Sequence, residues 1–409
     1  MHARILTGLL MGAALALSGT AHAQSAAPVK LGVVADISGV CGPLTKSGLN
    51  GLKLAVDETN AAGGWLGRKI DTITRDSKTQ PPEGAKVTQE LLSVEKVDMI
   101  TGPCSSAVLL SVSATAKEYG KLLWSTIGST QRASIELGHP SFFQAQANAL
   151  MEAYAAAEYA AKQPGWKKIV TIGLDYEWGH MTVEKFTERL KQRRPDVQVV
   201  KNLWPKLGET NFSSFVTAAL AEKPDVVLSV TFGAATVNLV KQAKSYGFFE
   251  QTKLFTFLPV DTAIALSGDM PEGVHGFARA PFYALKGTGV KEFVEKYRKA
   301  NNGEWPDDWA VLAYDAFGQV SAAVKAAKSI DTPKVMEALA ANTYKGMRGD
   351  IKMRKIDGND IAPTYVGVIG RVKDYPFPVL TNVTIIEGAQ VMPSEDEVTK
   401  MRAAAAAKK

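Results

Sequence analysis

Ser105 and Ser106 stand between an apolar run, residues 97–101, and a helix-like stretch, 105–119. Hydroxyls and free backbone N–H groups at a helix start together make a carboxylate site that needs no buried cation. The same pair would also serve as a plain helix cap. Tyr176 and Trp178 lie just past another apolar run, 168–174. Aromatics there either pack on an apolar ligand or fill the core.

Catalytic signatures are missing. The chain has no G-x-S-x-G elbow and no H-E-x-x-H. His139, His180 and His275 stand alone, without a second His or a Cys at metal-ligand spacing. Residues 39–47 (GVCGPLTKS) resemble a phosphate loop but lack the Gly required before Lys46. No dinucleotide fingerprint follows any strand. No catalytic residue, metal or cofactor is expected, and the chain does not read as an enzyme.

Short apolar runs alternate with amphipathic stretches, the pattern of a parallel sheet with helices on both faces. In a first series, strands are expected at 29–35, 70–75, 97–101 and 121–125, with helices at 46–61, 82–93 and 105–119. A second series follows residue 147. It has helices at 151–162, 183–192, 212–221 and 235–245, and strands at 168–174, 197–203, 226–230 and 253–257. Residues 308–327 then form one long apolar helix with no strands of its own, so it is expected to return to the first unit.

Length and composition agree with two lobes. At 409 residues the chain exceeds what one core comfortably serves. Its 46% hydrophobic and 22% charged residues are those of a globular protein. The net charge of +6 is dispersed. Its densest spots, at 167–168, 193–194 and 352–355, do not alternate with stacking aromatics, so no nucleic-acid partner is expected. Residues 1–23 have a basic start, an apolar run at 5–17 and the Ala21-His22-Ala23 ending of a cleaved export signal. The mature chain is expected to be exported. For an exported chain, the two cysteines Cys41 and Cys104 predict one disulfide, with two free thiols as the alternative.

Residues 36–76, DISGVCGPLTKSGLNGLKLAVDETNAAGGWLGRKIDTITRD, resemble the opening of the leucine/isoleucine/valine-binding proteins. These are the periplasmic receptors of branched-chain amino-acid ABC importers. NAAGGWLGR at 60–68 is the sharpest match, although Trp65 stands where the family usually has an aliphatic residue. ITGPCSSA at 100–107, LDYEWGH at 174–180 and PEGVHG at 271–276 extend the resemblance over nearly the whole chain. It implies an α/β fold of two doubly wound parallel-sheet lobes joined by three hinge crossings, the type I periplasmic binding clamshell. One lobe would comprise 28–146 plus 277–355 and the other 147–276 plus 356–400, with 401–409 a fraying tail.

The resemblance also implies a site. The first lobe's carboxylate contacts match Ser106, Ile127, Gly128 and Ser129, with Ile127 and Gly128 contributing backbone. Asp261 matches the acid that pairs with a ligand ammonium. Where the branched-chain binders carry a cleft tyrosine, this chain has Phe232-Gly233-Ala234-Ala235. Losing that phenol at Phe232 and Ala234 widens the pocket and makes an aromatic carboxylate credible. The expected function is a monomeric receptor that captures a small amphipathic carboxylate, a branched-chain or other hydrophobic amino acid, and delivers it to a membrane ABC permease. An aromatic carboxylate or small amide is the alternative ligand, and a soluble sensing adaptor the alternative role.

Overall fold

A computed structural model describes residues 27–407. The expected export signal at 1–23 lies outside the described residues. The chain builds two seven-stranded sheets of the same winding. In the first, Val29–Ala35 is flanked by Ile70–Asp76 on one side and by Met99–Thr101, Leu123–Ser125 and Phe142–Gln144 in turn on the other, all parallel. Strand order therefore reverses between Ala35 and Thr101. In the second, Lys168–Gly173 lies between Gln198–Leu203 and the series Val226–Val230, Lys253–Phe257 and His275–Ala278. Here the reversal lies between Gly173 and Val230. Val226–Val230 is buried at every residue because helices cover both its faces, whereas the edge strand Ile70–Asp76 keeps several residues exposed.

Three crossings join the lobes, after Gln144, after Ala278 and after Asp360. The last falls later than the expected break at 355–356. Asn359 pairs with Gln144, so Asn359–Asp360 still belongs to the first sheet. The chain then adds Thr364–Gly370 and Val379–Ile386 antiparallel to the edge of the second sheet.

The long helix Asp308–Ala327 packs on the first lobe, against the helix Gly42–Ala61. The two backbones nearly touch at Gly51, where a Cβ would come within 2.2 Å of the Ala310 carbonyl oxygen. Trp65 stacks on Phe317 with ring centroids 5.2 Å apart, and its Nε1 donates to Ser321 Oγ at 2.8 Å. The aromatic departure at 65 is thus accommodated by this helix.

The tail differs from expectation. Glu395–Ala406 is a helix, opened by a capping box between Ser394 and Glu397. Arg402 anchors it by donating to the carbonyls of Ile135 and Ile356. Alanine's high helix propensity carries the helix through the segment expected to fray from residue 401; residues 408–409 lie outside the described part.

Candidate functional site

Both strand-order reversals open onto one interlobe cavity, as expected for open α/β sheets. Leu44, Cys104, Ser106, Ile127 and Trp309 line it from the first lobe. Tyr176, Trp178, Phe232, Phe257 and Arg279 line it from the second lobe and its hinge. Its atom-free space is about 280 Å³, open solvent included, of which about 20 Å³ admits water-sized spheres. The lobes are nearly shut on their own side chains, so a ligand must part them.

The two serines divide the roles proposed for them. Ser105 is the helix cap: its Oγ accepts from Val108 N at 3.4 Å. Its backbone N–H donates to the buried Asp36 Oδ2 at 2.6 Å, so an internal carboxylate already occupies the anion position at this helix start. Burial pushes the Asp36 carboxyl up, against the lowering hydrogen bonds from Ser77 and Ser105. Ser106 faces the cavity. Its Oγ accepts from Ser129 N at 3.2 Å, and its own proton has no acceptor among the described residues. Its hydroxyl is therefore left free to donate into the cavity.

Gly128 and Ser129 form the layer behind Ser106. Gly128 N donates to Pro103 O at 3.0 Å, which takes that N–H out of reach of a ligand in this state. Ser129 Oγ accepts from Arg279 Nη2 at 2.9 Å. Asp36 also lies near Cys41 and Cys104, but those sulfurs are bonded to each other, so the trio offers no metal site. Their disulfide joins the loops at the two strand ends of the first reversal.

Aromatic rings form the opposite wall. Phe232 lies edge-on to Tyr176 and Trp178 at 6.1 and 6.0 Å between centroids. Trp178 lies 5.2 Å from Phe257. Burial pushes the Tyr176 phenol up, so its hydroxyl stays a neutral donor. Ala234, in contrast, is exposed at the start of its helix and does not line the cavity.

Arg279 is the cation that sequence reasoning missed. It is 5% exposed, and its ion-pair partner Glu152 is fully buried. Its five N–H groups go to the two oxygens of Glu152, Ile127 O, Gln146 Oε1 and Ser129 Oγ. Ser129 Oγ and Trp178 Nε1 also donate to Glu152, at 3.4 and 3.1 Å. The guanidinium lies 5.3 Å from both the Phe257 and Trp309 ring centres. Arg279 therefore braces the hinge rather than offering free N–H groups.

Asp261 sits beside the cavity and not in its lining. It is half-buried, and its Oδ1 accepts from Trp309 Nε1 at 3.2 Å. Burial first, then the neighbouring Asp307 and Asp308, push its carboxyl well above the usual range. Asp308 is fully buried and accepts from the backbone N–H groups of Val260, Arg279 and Ala280 at 2.9, 3.0 and 2.8 Å. One carboxylate of the first lobe's returning helix thus holds the second lobe and the hinge strand end together. Arg279 could have been found by extending the strand-end rule to His275–Ala278. Trp309 had no local signal.

A family model described as "Periplasmic binding protein" matches residues 28–374. The chain is similar to the Leu/Ile/Val-binding protein homolog 8 of Brucella suis biovar 1, at 27% identity over 82% of this chain and 86% of that protein. Its fold is similar to that of a periplasmic binding protein from Burkholderia mallei, with a TM-score of 0.82 and 22% identity over 90% and 97% of the two chains. It is similar also to a solute-binding protein of an ABC transporter from R. palustris in complex with benzoate, with a TM-score of 0.78 and 22% identity over 88% and 97%. The reversed strand order in both lobes, the cavity between them and the match over residues 28–374 lead to one conclusion: this chain belongs to the periplasmic binding protein family.

Proposed function

We propose that this protein is the solute-binding component of a periplasmic ABC importer and clasps a small apolar carboxylate between its lobes, an aromatic acid in preference to a branched-chain amino acid. The observation that carries this reading is the lining itself. Five aromatic rings, of Tyr176, Trp178, Phe232, Phe257 and Trp309, surround the free hydroxyl donor of Ser106, and Tyr176 brings a second hydroxyl to the same wall. Flat ligands exploit such walls by stacking and edge contacts. A benzoate complex of a protein with this fold supports the same class.

An amino acid is the second reading, favoured by Asp261. An ammonium beside Asp261, Asp307 and Asp308 would relieve the repulsion that pushes the Asp261 carboxyl up. Micromolar binding requires about 8 kcal/mol. Over the roughly nine heavy atoms of benzoate or leucine this is about 0.9 kcal/mol per atom, below the ceiling of about 1.5. Such efficiency needs near-complete burial, so binding and closure are coupled. A membrane permease then receives the closed, loaded receptor, which acts as a monomer.

A thermal-shift screen of protein refolded free of carried-over ligand tests the reading. Stabilisation by benzoate-type acids that Ser106→Ala weakens at least tenfold supports it. Stabilisation confined to amino acids, and lost in Asp261→Asn, replaces it with the second reading.

A further inference from the structure

A second cavity lies on the first-lobe side of Ile127, and it is chemically unlike the cleft. Val33, Leu49, Leu52 and Ala313 form apolar walls. About 40 Å³ of it admits water-sized spheres. One water needs about 10–15 Å³ of such space, so the compartment as it stands admits a small polar group, whereas a ring would require walls to part, as they must in the cleft. Thr101, which also lines it, donates to Trp124 O at 3.2 Å. Thr45 is 5% exposed, and its Oγ1 is buried with no hydrogen-bond partner among the described residues. A buried hydroxyl without a partner is unfavourable, and its persistence asks for a reason.

The two cavities share Ile127 and Cys104 as lining, so one layer of side chains separates them. Cys104 is fixed by its disulfide. Ile127 is half-buried, and only its backbone carbonyl is hydrogen-bonded. Its Cδ1 lies over Gly48, where a Cβ would come within 3.1 Å. The partition is therefore an apolar side chain whose rotamer no hydrogen bond fixes.

We propose that this compartment is a substituent pocket of the ligand site. The ligand's body lies among the cleft rings, and a hydroxyl or similarly small hydrogen-bonding group on it passes the Ile127 side chain to pair with Thr45 Oγ1. The recognised class is then a hydroxylated apolar acid, and an acid without the substituent leaves Thr45 unpaired. This inference rests on the apolar-acid reading above and sharpens it.

Calorimetric titration of the ligand-free protein with benzoate, 3-hydroxybenzoate and 4-hydroxybenzoate tests it. One hydroxylated acid is expected to bind wild type at least tenfold more tightly than benzoate. Thr45→Val, which keeps the shape and removes the hydroxyl, is expected to abolish that ratio while benzoate affinity stays within twofold. Thermal unfolding of the unliganded variant, expected no lower than wild type, verifies that it folds. A ratio that survives in Thr45→Val, or a wild type that binds benzoate as tightly as both hydroxylated acids, overturns the proposal. Binding of none of these acids by wild type overturns the apolar-acid reading itself. Ile127→Ala gives an independent check: it is expected to bind 4-methoxybenzoate at least tenfold better than wild type, and no gain counts against the compartment.

Discussion

Glu177 reaches across the cleft to Thr130, whose Oγ1 donates to Glu177 Oε1 at 2.7 Å. Arg132 Nη1, on the same side, lies 3.0 Å from the other carboxylate oxygen. Glu177 stands between Tyr176 and Trp178 in sequence, so one helix start carries both the ligand wall and the clasp. Gln131 Nε2 adds a contact to Met181 Sδ at 3.1 Å. Parting the lobes must break these bonds.

Glu177→Ala is therefore expected to weaken ligand binding about tenfold, mainly through faster release. Charged hydrogen bonds are worth about 1.5–3 kcal/mol, and Arg132 is partly exposed, which reduces its share. Stopped-flow kinetics check this. An unchanged dissociation rate would rule out a clasp.

Arg279→Ala is expected to destabilise the fold by about 3–5 kcal/mol, because it leaves Glu152 charged and buried without its partner. The double variant Arg279→Met with Glu152→Leu should recover most of that loss. Urea unfolding of the four proteins measures it. A double variant as unstable as the single one would mean that the pair's geometry, and not an orphaned charge, sets the cost.

The contribution of Asp307 to stability should fall as pH rises toward neutrality. That of the half-buried His139 and His275, whose pKa values burial lowers to about 4, acts with the opposite sign up to about 6.5. Burial, then the neighbouring Asp308, raises the Asp307 carboxyl from the ordinary 3.8 to about 7. Between those values the folded state keeps a proton that the unfolded chain releases. Stability from this group is full below 3.8 and is lost as pH rises through 7, at about 1.4 kcal/mol per unit. Asp307→Asn should flatten that slope and raise the melting temperature at pH 8 more than at pH 5. Asp360, also raised to about 7, contributes the same sign and should leave a residual slope. Melting temperatures of wild type and variant across pH 4–9 decide the matter.

Replacing both Cys41 and Cys104 with Ser should destabilise the fold by about 4 kcal/mol, the chain-entropy figure for cysteines 63 residues apart. Because Cys104 lines both cavities, ligand affinity should fall as well. Calorimetric unfolding and titration of the double variant, beside wild type held under reductant, give both numbers. Equal melting temperatures would show that the link contributes nothing to the fold.

The sequence revealed elements where their ends are chemically marked. Val226–Val230 and Lys253–Phe257 are bounded apolar runs, and Asp307 caps Asp308–Ala327; all three match their expected limits. Phe142–Gln144 escaped notice because three residues carry too little periodicity. Glu177–Arg193 starts six residues before its expected beginning at 183, since its first turns, EWGHMT, lack a regular apolar stripe. Ser106, Ile127, Tyr176, Trp178 and Phe232 reach the cavity because each closely follows a strand end. Ser105 and Ala234 occupy the right loops but face elsewhere, since successive helix residues turn by about 100°. Trp309 could not be foreseen: only the return of a distant helix brings it to the cleft.

Asp308 gathers three backbone N–H groups from the second lobe and its hinge onto one carboxylate of the first. Mechanically, it makes a pivot, and points near a pivot barely travel. The longest arc belongs to the rim, where Val40 of one lobe meets Gly208 of the other. Spectroscopic labels at positions 40 and 208 should therefore register the swing of the jaws, while a pair at 260 and 308 stays silent.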